Sequence, residues 1–278
     1  MAEILSVGHL NVSLKKDTSR FLVRDVSFKL SAGKTTCIVG ESGSGKSLTA
    51  LTIMGLLSNQ LIASGDVVFD GRDLMALDDK AMQQIRGSKI GMIFQEPMTS
   101  LNPVLTVGFQ IGEPLTAHLG LKGLALKLRV ESLLAQVGIP EGRANSYPDE
   151  LSGGQRQRVM VAMSIACEPA LLIADEPTTA LDVTVQAQIL TLLDALKSRM
   201  QMAMLFITHD FGVVSDIADD VIVMFRGEIV EAGPKKQVLE KPTHPYTKAL
   251  LACVPDIQGK KTLKPIDYAW LDDDEVPV

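Results

Sequence analysis

Four short apolar runs along the chain predict buried strands. They cover residues 35–39, 90–94, 170–174 and 202–208. Apolar residues at helical spacing follow at residues 48–57, 155–167 and 185–200. Strands and helices that alternate in this way predict an α/β fold with a mostly parallel sheet. An antiparallel edge is predicted by two further signals, which are the alternation of Val26, Phe28 and Leu30 and a hairpin around Arg226 and Gly227.

Polar residues come directly after each predicted strand of the parallel sheet. They are Gly40, then Gln95, then the pair Asp175 and Glu176, and finally His209 with Asp210. Ligands of open α/β sheets bind outside the carboxyl ends of the strands, so these residues are expected to converge on one site. A single glutamine or histidine would more often have a structural role, but their joint placement favours a functional one.

The segment after the first strand fits the phosphate-binding pattern G-x-x-x-x-G-K-[ST] at every fixed position. It comprises Gly40, Glu41, Ser42, Gly43, Ser44, Gly45, Lys46 and Ser47, with Leu48 next in the helix behind it. Glycines let backbone N–H groups turn toward phosphates, the lysine adds positive charge, and the serine hydroxyl can bind Mg²⁺. The alternative is an ordinary glycine-rich turn, which the strand before and the helix after disfavour. The segment predicts a bound nucleotide.

Composition narrows the class of protein. The 278 residues are 46% hydrophobic and only 4% aromatic, which suits aliphatic packing of helices on a sheet. A net charge of −6 argues against nucleic acid as the main partner. Three scattered cysteines and an N-terminus without a basic-then-apolar leader pattern predict a cytosolic protein with reduced thiols.

A second glycine-rich motif opens the helix at residue 155. Its residues are Leu151, Ser152, Gly153, Gly154 and Gln155. Ser152 is a good N-cap, and the two glycines leave room for a phosphate to approach the helix N-terminus. Taken alone, the motif is equally compatible with a capped helix after a glycine turn.

Taken in their order along the chain, the motifs resemble those of the ATP-binding cassette (ABC) ATPases. The resemblance covers nearly the whole chain. It identifies a P-loop NTPase core of the RecA-like type with an antiparallel edge. The residues that match are the phosphate loop, Gln95, the signature at residues 151–155, Asp175 with Glu176, the loop of Ala180, Leu181 and Asp182, and His209.

The resemblance implies a role for each matching residue. Lys46 and the loop amides hold the phosphates of ATP, and Ser47, Gln95 and Asp175 organise Mg²⁺. Glu176 polarises the attacking water and His209 contacts the γ-phosphate. Two such domains pair head to tail, so Ser152, Gly153, Gly154 and Gln155 complete the partner's site and Asp182 relays between the sites. Base stacking on an aromatic residue is also typical of the family, and Leu14 and Phe21 are the two candidate positions here.

The resemblance extends to one branch of the family. Residues 40–47, 94–103, 147–158 and 244–251 are similar to the ATP-binding subunits of oligopeptide, dipeptide and nickel importers. This implies a second ATPase subunit in a heterodimer, two membrane-spanning permease subunits, an extracytoplasmic solute-binding protein, and a position on the cytoplasmic face of the membrane. Residues 96–102 are expected to dock a permease helix.

Several alternatives stay open from the sequence. The solute could be a peptide, nickel or another small molecule, because the selective surfaces belong to other chains. A soluble ABC ATPase acting on DNA or ribosomes is disfavoured, since the chain has no long heptad array and no basic bias. A regulatory subunit without turnover is disfavoured by Glu176 and His209.

The domain organisation follows from the same reasoning. Residues 1–233 are predicted to form the ATP-binding domain, with a helical subdomain at about residues 96–158 that contains one clear helix near residues 124–137. Residues 234–278 are predicted to be the C-terminal extension of the importer branch, ending in a flexible acidic tail.

Overall fold

The computed structural model of the chain describes residues 2–95, 100–179 and 181–253. Three parts of the sequence predictions lie outside the described residues: residues 96–99 of the docking segment, Ala180, and residues 254–278 of the extension. The strands of the described part are β1 (Glu3–Leu14), β2 (Asp17–Ser31), β3 (Thr35–Val39), β4 (Leu61–Phe69), β5 (Arg72–Asp73), β6 (Ile90–Ile93), β7 (Leu171–Asp175), β8 (Ala203–Thr208), β9 (Asp220–Phe225) and β10 (Glu228–Pro234).

The α-helices of the described part are α1 (Lys46–Ile53), α2 (Asp79–Gln83), α3 (Val107–Leu119), α4 (Gly123–Gln136), α5 (Gly153–Ile165), α6 (Val183–Met200), α7 (Phe211–Ile217), α8 (Lys235–Glu240) and α9 (Pro245–Ala252). Two short 3₁₀ helices, Arg143–Asn145 and Pro148–Glu150, precede α5.

The larger sheet has six strands in the order β10-β9-β3-β8-β7-β6. β9, β3, β8, β7 and β6 run parallel, and β10 pairs antiparallel with β9. The predicted α/β fold is confirmed, and the four predicted strands agree with the observed ones to within a residue at each end. The two residues of the β9–β10 turn, Arg226 and Gly227, both have positive φ, at 49° and 85°. A two-residue hairpin loop with a type I′ turn requires this conformation at both positions.

This sheet separates two hydrophobic cores, because successive side chains of a strand point to opposite faces. On β3, Cys37 and Val39 pack into the core that contains the helical subdomain, α5 and α6, whereas Ile38 packs into the core shared with α1 and the smaller sheet. Both faces are covered, which explains why these strands are continuous apolar runs in the sequence.

The smaller sheet is antiparallel, with the strand order β2-β1-β4-β5. The predicted alternation in β2 is confirmed, since Val26, Phe28 and Leu30 are all buried. β1 and β4 were not predicted. The register of β1 shifts between Val7 and Leu10, which breaks the two-residue period, and only the last part of β4 faces the core.

Between residues 100 and 152 the structure has two α-helices, α3 and α4, where the sequence predicted one clear helix. α4 is the predicted helix, and α3 was hidden by Pro114, a residue that usually interrupts helices. α3 forms nevertheless because Thr106 caps its N-terminus and Ile111 and Leu115 are fully buried. α1 ends at Ile53, earlier than predicted, since Gly55 takes a left-handed conformation with φ of 62°.

Candidate nucleotide-binding site

The phosphate loop joins β3 to α1 at the carboxyl edge of the larger sheet. At Gly40 a Cβ atom would lie 2.2 Å from the carbonyl oxygen of Met224 on β9, so a side chain does not fit. On the other side, Gly227 of the hairpin donates its N–H to the Ser44 carbonyl at 3.1 Å. The loop is therefore held between its own strand and the β9–β10 hairpin.

Lys46 lies inside this loop with only 4% of its surface exposed. Its Nζ donates to the carbonyl oxygens of Gly40, at 2.8 Å, and Glu41, at 2.6 Å. Burial lowers its pKa below the usual value, while the carboxylates of Glu176 and Asp175 act in the opposite direction. The ammonium group is thus placed where a phosphate of a bound nucleotide could take over its hydrogen bonds.

Ser47 and Asp175 form the next part of the site. The Ser47 hydroxyl donates to Asp175 Oδ1 at 3.0 Å, which joins the start of α1 to the end of β7. Burial raises the pKa of Asp175, although the Ser47 hydrogen bond opposes this. Two hard oxygen donors at this distance fit Mg²⁺, which usually takes one or two protein ligands and completes its shell with phosphate and water. No cluster of three or more His, Cys, Asp or Glu side chains suited to a metal occurs among residues 2–95, 100–179 and 181–253.

Glu176 directly follows β7 and is the meeting point of three polar side chains. Its Oε2 atom accepts hydrogen bonds from Gln95 Nε2 at 3.3 Å and Thr179 Oγ1 at 2.9 Å, and His209 Nδ1 lies 3.2 Å away. Glu176 has a left-handed backbone with φ of 47°, and its N–H donates to the Ile207 carbonyl at 3.0 Å. This conformation is uncommon for a residue with a side chain.

Two adjoining cavities bring most of the predicted site residues together. The larger has a volume of about 780 Å³ and is lined by Gly40, Glu41, Ser42, Gln95, Glu176, Thr179, His209, Phe211 and Leu250. The smaller, of about 150 Å³, is lined by Ser42, Gly43, Gly45, Lys46, Ser47, Leu48, Gln95 and Glu176. Residues from four strand ends therefore converge, as expected from the fold.

The signature motif lies apart from these cavities. Ser152 caps α5 by accepting the Gln155 N–H, and Gln155 Oε1 accepts the Ser152 N–H in return. A Cβ on Gly153 would meet nothing within 4 Å, whereas one on Gly154 would lie 2.8 Å from Val185 Cγ1 on α6. Neither cavity is lined by residues of the motif.

Asp182 has a structural contact that the sequence did not predict. It caps α6, where its Oδ1 accepts the Val185 N–H at 2.9 Å. Val185 is also the residue that Gly154 faces. The signature helix and the Asp182 cap thus meet at one residue, Val185, the first at its side chain and the second at its backbone N–H.

Two residues of the site were missed by the sequence reasoning. Thr179 could have been found, because it lies three residues after Glu176 in a turn where a hydroxyl can reach back. Tyr246 was noted only as part of the importer-like segment 244–251, and nothing local placed it at the site: its hydroxyl contacts Glu41 of the phosphate loop across a sequence separation of 205.

The fold and this constellation define an ATP-binding cassette of the P-loop ATPases. Residues 23–179 match the family model described as ABC transporter, and residues 230–271 match the model described as the oligopeptide/dipeptide transporter C-terminal region. The chain belongs to the ABC transporter family. Its resemblance to the oligopeptide and dipeptide importer branch is confirmed by the second match.

Relatives and solved structures agree with this assignment. A Brucella melitensis biotype 1 protein named "Putative peptide import ATP-binding protein" is 54% identical over 87% of this chain and 74% of its own length. The glutathione import ATP-binding protein GsiA of Salmonella typhimurium is 50% identical over 92% of this chain, which spans only 42% of that relative.

Solved structures similar to this chain include a dimeric post-hydrolysis state of the ATP-binding cassette MJ0796 bound to ADP and Pi. The TM-score is 0.74 at 29% identity, over 84% of this chain and 99% of that chain. The structure of cbiO1 from Clostridium perfringens, part of the transporter complex cbiONQ, has a TM-score of 0.75 at 29% identity, over 87% of this chain and 92% of that chain. In the part of the chain that the structure describes, no helix combines the length and apolarity needed to span a membrane.

Proposed function

We propose that this chain is the ATP-hydrolysing subunit of an importer for di- or oligopeptides. The observation that carries the catalytic part is the convergence of Gln95, Thr179 and His209 on one oxygen of Glu176, beside the phosphate loop. A carboxylate held in this way can orient water and accept its proton. The import part is supported by the match of residues 230–271 and by the printed names of the relatives.

In this proposal Lys46 and the loop amides bind the phosphates of ATP, and Ser47, Asp175 and Gln95 hold Mg²⁺. The Mg²⁺ ion supplies positive charge to the phosphates, which is the main requirement of phosphoryl transfer. Glu176 acts as the general base, and His209 is placed to contact the γ-phosphate.

The signature motif fits a composite site. Ser152, Gly153, Gly154 and Gln155 present a helix N-terminus that lines neither cavity of their own chain. A helix N-terminus attracts phosphate, so the motif is available to ATP held by a second cassette. We propose a second ATPase subunit as that partner, in a heterodimer, with Asp182 near the boundary between the two sites.

The transport complex would also contain two permease subunits and an extracytoplasmic solute-binding protein, and it would place this chain on the cytoplasmic face of the membrane. Nickel or another small solute is the alternative cargo within this branch. Affinity capture from native membranes tests the proposal. We expect permease, ATPase and solute-binding subunits of a peptide importer to co-purify, and recovery of ribosomal or DNA-bound partners alone would contradict it.

For the adenine base we propose Phe21 rather than Leu14. Phe21 is 45% exposed, and the carbonyl of the next residue, Leu22, lies against Gly45 of the phosphate loop and Gly227 of the β9–β10 hairpin. Leu14 instead pairs with Asp17 at the β1–β2 turn and with Leu61 of β4. Only the Phe21 position therefore combines an aromatic ring with a neighbour that touches the loop.

A further inference from the structure

The C-terminal extension contacts the phosphate loop through Tyr246 on α9. The Tyr246 hydroxyl accepts the backbone N–H of Glu41 at 3.0 Å and donates to Glu41 Oε2 at 3.3 Å. Both residues are thus joined across a sequence separation of 205. The Gly40 carbonyl, which shares a peptide unit with the Glu41 N–H, accepts Lys46 Nζ at 2.8 Å, and the carbonyl of Glu41 itself accepts Nζ at 2.6 Å. The backbone on both sides of Glu41 therefore connects Tyr246 to the ammonium group.

The position of the Tyr246 ring is fixed by packing. The side chain is fully buried, and its ring centroid lies 4.3 Å from that of Phe225, the last residue of β9. Leu250, one turn further along α9, lines the larger cavity together with Glu176 and His209. One face of α9 therefore lies against the nucleotide site.

The start of α9 is anchored to β10 by Glu231. Its Oε1 accepts the N–H and the hydroxyl of Thr243, and its Oε2 accepts the N–H of His244. His244 in turn caps α9 by accepting the Tyr246 N–H at Nδ1. The ring is held from both sides, by the core and by this anchor.

We propose that Tyr246 is a positioning residue for ATP binding: it fixes Glu41, and through Glu41 the place of Lys46 in the phosphate loop. The C-terminal extension is then a working part of the nucleotide site. This inference rests on the phosphate-binding role proposed for the loop. It assigns Tyr246 no contact with ATP itself.

The test is Mg·ATP binding to the full chain carrying Tyr246→Phe, measured by calorimetric titration. Phenylalanine keeps the ring against Phe225 and removes only the hydroxyl. Since one hydrogen bond contributes about two- to tenfold to an equilibrium, we expect the Kd for Mg·ATP to rise by about that factor. Tyr147→Phe is the matched control, because it removes the same hydroxyl from a partly exposed ring in the helical subdomain.

Comparing the changes in KM and kcat distinguishes a positioning role of Tyr246 from a general loss of stability. In the assembled ATPase, the KM for ATP should rise by the same factor as Kd while kcat stays within twofold of the wild-type value, because Tyr246 does not contact Glu176. A Kd of wild-type size in Tyr246→Phe contradicts the inference, and so does an equal rise in the Tyr147→Phe control.

Two further variants test the phosphate loop and the anchor of α9 separately. Lys46→Ala should abolish Mg·ATP binding; if it binds like the wild type, the assignment of the loop fails rather than the role of Tyr246. If Tyr246→Phe does not fold, Glu231→Gln carries the test, since it replaces the carboxylate that accepts all three hydrogen bonds at the start of α9 and leaves the loop unchanged. It should weaken binding at least twofold, and unchanged affinity in it contradicts the inference.

Discussion

Glu176 shows how one residue can be prepared for chemistry by its neighbours and by its own backbone. The left-handed conformation costs about 1–2 kcal/mol for a residue with a Cβ atom. The structure retains it because the N–H is held by Ile207 and the carboxylate by Gln95 and Thr179. Strain of this kind is often kept at functional sites.

The Glu176→Gln variant should lose ATP hydrolysis and keep ATP binding. The amide has nearly the same shape and still accepts hydrogen bonds, but it does not accept a proton from water. General-base catalysis contributes about 10²–10⁴-fold, so we expect kcat to fall by that factor with Kd for Mg·ATP within a fewfold of the wild type. Phosphate-release kinetics and calorimetric titration measure the two quantities. Hydrolysis at a near-normal rate would exclude Glu176 as the base.

The Phe21→Ala variant tests the adenine contact. Removal of a stacking ring costs about 1–3 kcal/mol per base in nucleic-acid sites, and we expect a loss of about tenfold in ATP affinity here. Binding of inorganic triphosphate, which has no base, should be unchanged. Leu14→Ala is the comparison: an effect confined to Leu14→Ala would reverse the choice between the two positions.

At the scale of single residues, the sequence predicted those that occur in recognisable local patterns. Lys46, Ser47, Asp175 and Glu176 each belong to a motif or a strand end. Tyr246 lies in the importer-like segment 244–251, but its contact with Glu41 was not predicted, since that contact depends on how α9 packs against Phe225. A contact set by tertiary packing has no periodicity or spacing from which it could be read.

Among the secondary-structure elements, α5 and α6 are coupled where Gly154 faces Val185. The space at Gly154 is too small for a methyl group, because a Cβ would approach Val185 Cγ1 to 2.8 Å. Gly153, one residue earlier, has free space around it. The two adjacent glycines therefore have different physical reasons to lack a side chain.

Gly154→Ala should destabilise the chain by about 1–3 kcal/mol through overpacking. Gly153→Ala should leave the free energy of unfolding unchanged or raise it slightly, because a Cβ there meets nothing. Its effect on hydrolysis should be seen only in the assembled complex. Denaturant titration of both variants measures the difference. In the Gly154→Ala background, Val185→Ala should restore stability. Equal stability of the Gly153→Ala and Gly154→Ala variants would contradict the overpacking at Val185.

Glu231 makes the docking of the extension depend on pH. It is 8% exposed, and although burial acts to raise its pKa, the hydrogen bonds from Thr243 and His244 outweigh this and the pKa is lowered from 4.5. A carboxylate with a lowered pKa in the folded state stabilises the protein above its unfolded pKa. That stabilisation is lost as the pH falls from about 4.5 through the folded value.

The Glu231→Gln variant isolates this contribution. At pH 7 we expect it to be less stable than the wild type by about 1.5–3 kcal/mol, because hydrogen bonds to a charged group are lost. The difference between the two proteins should shrink below pH 4.5 as the wild-type carboxylate becomes protonated. Thermal unfolding between pH 7 and pH 3 measures it. A difference that stays constant across this range would contradict the role of the charge.

Four strands that are buried on both faces were predicted correctly from the sequence. The strands of the larger sheet are covered on both faces and stand out as apolar runs, whereas β1 is interrupted by register shifts and β4 is largely exposed. α3 was missed because Pro114 masks an otherwise regular pattern, while Thr106 and the buried face of the helix decide the outcome. Local rules fail where packing compensates for an unfavourable residue.

For the molecule as a whole, the catalytic and signature halves of the site lie on one chain but do not meet. The proposed pairing with a second cassette would bring a signature motif to each phosphate loop, and MJ0796 is an ATP-binding cassette with a dimeric structure. The domain boundary predicted near residue 233 stays a prediction. Across it, Tyr246 packs on Phe225 and Glu231 anchors Thr243, so the extension and the ATP-binding domain share a core.

The Glu176→Gln variant provides a test of the partner. With Mg·ATP and without hydrolysis, a closed dimer should accumulate when the second ATPase subunit is added, and the chain alone should sediment with the mass of one chain. Sedimentation velocity measures both. A stable dimer of this chain alone would replace the proposed heterodimer with a homodimer.

The hydrogen bonds of Lys46 to the carbonyls of Gly40 and Glu41 have a consequence for the strength of nucleotide binding. The ammonium group is already satisfied by the loop, so a phosphate oxygen must compete with two backbone oxygens for the same protons. Part of what each new contact with a phosphate contributes to ATP affinity is then offset by the loss of a contact with a loop carbonyl. The two carbonyls keep the buried charge of Lys46 hydrogen-bonded before any phosphate arrives, which avoids the cost of an unpaired buried charge.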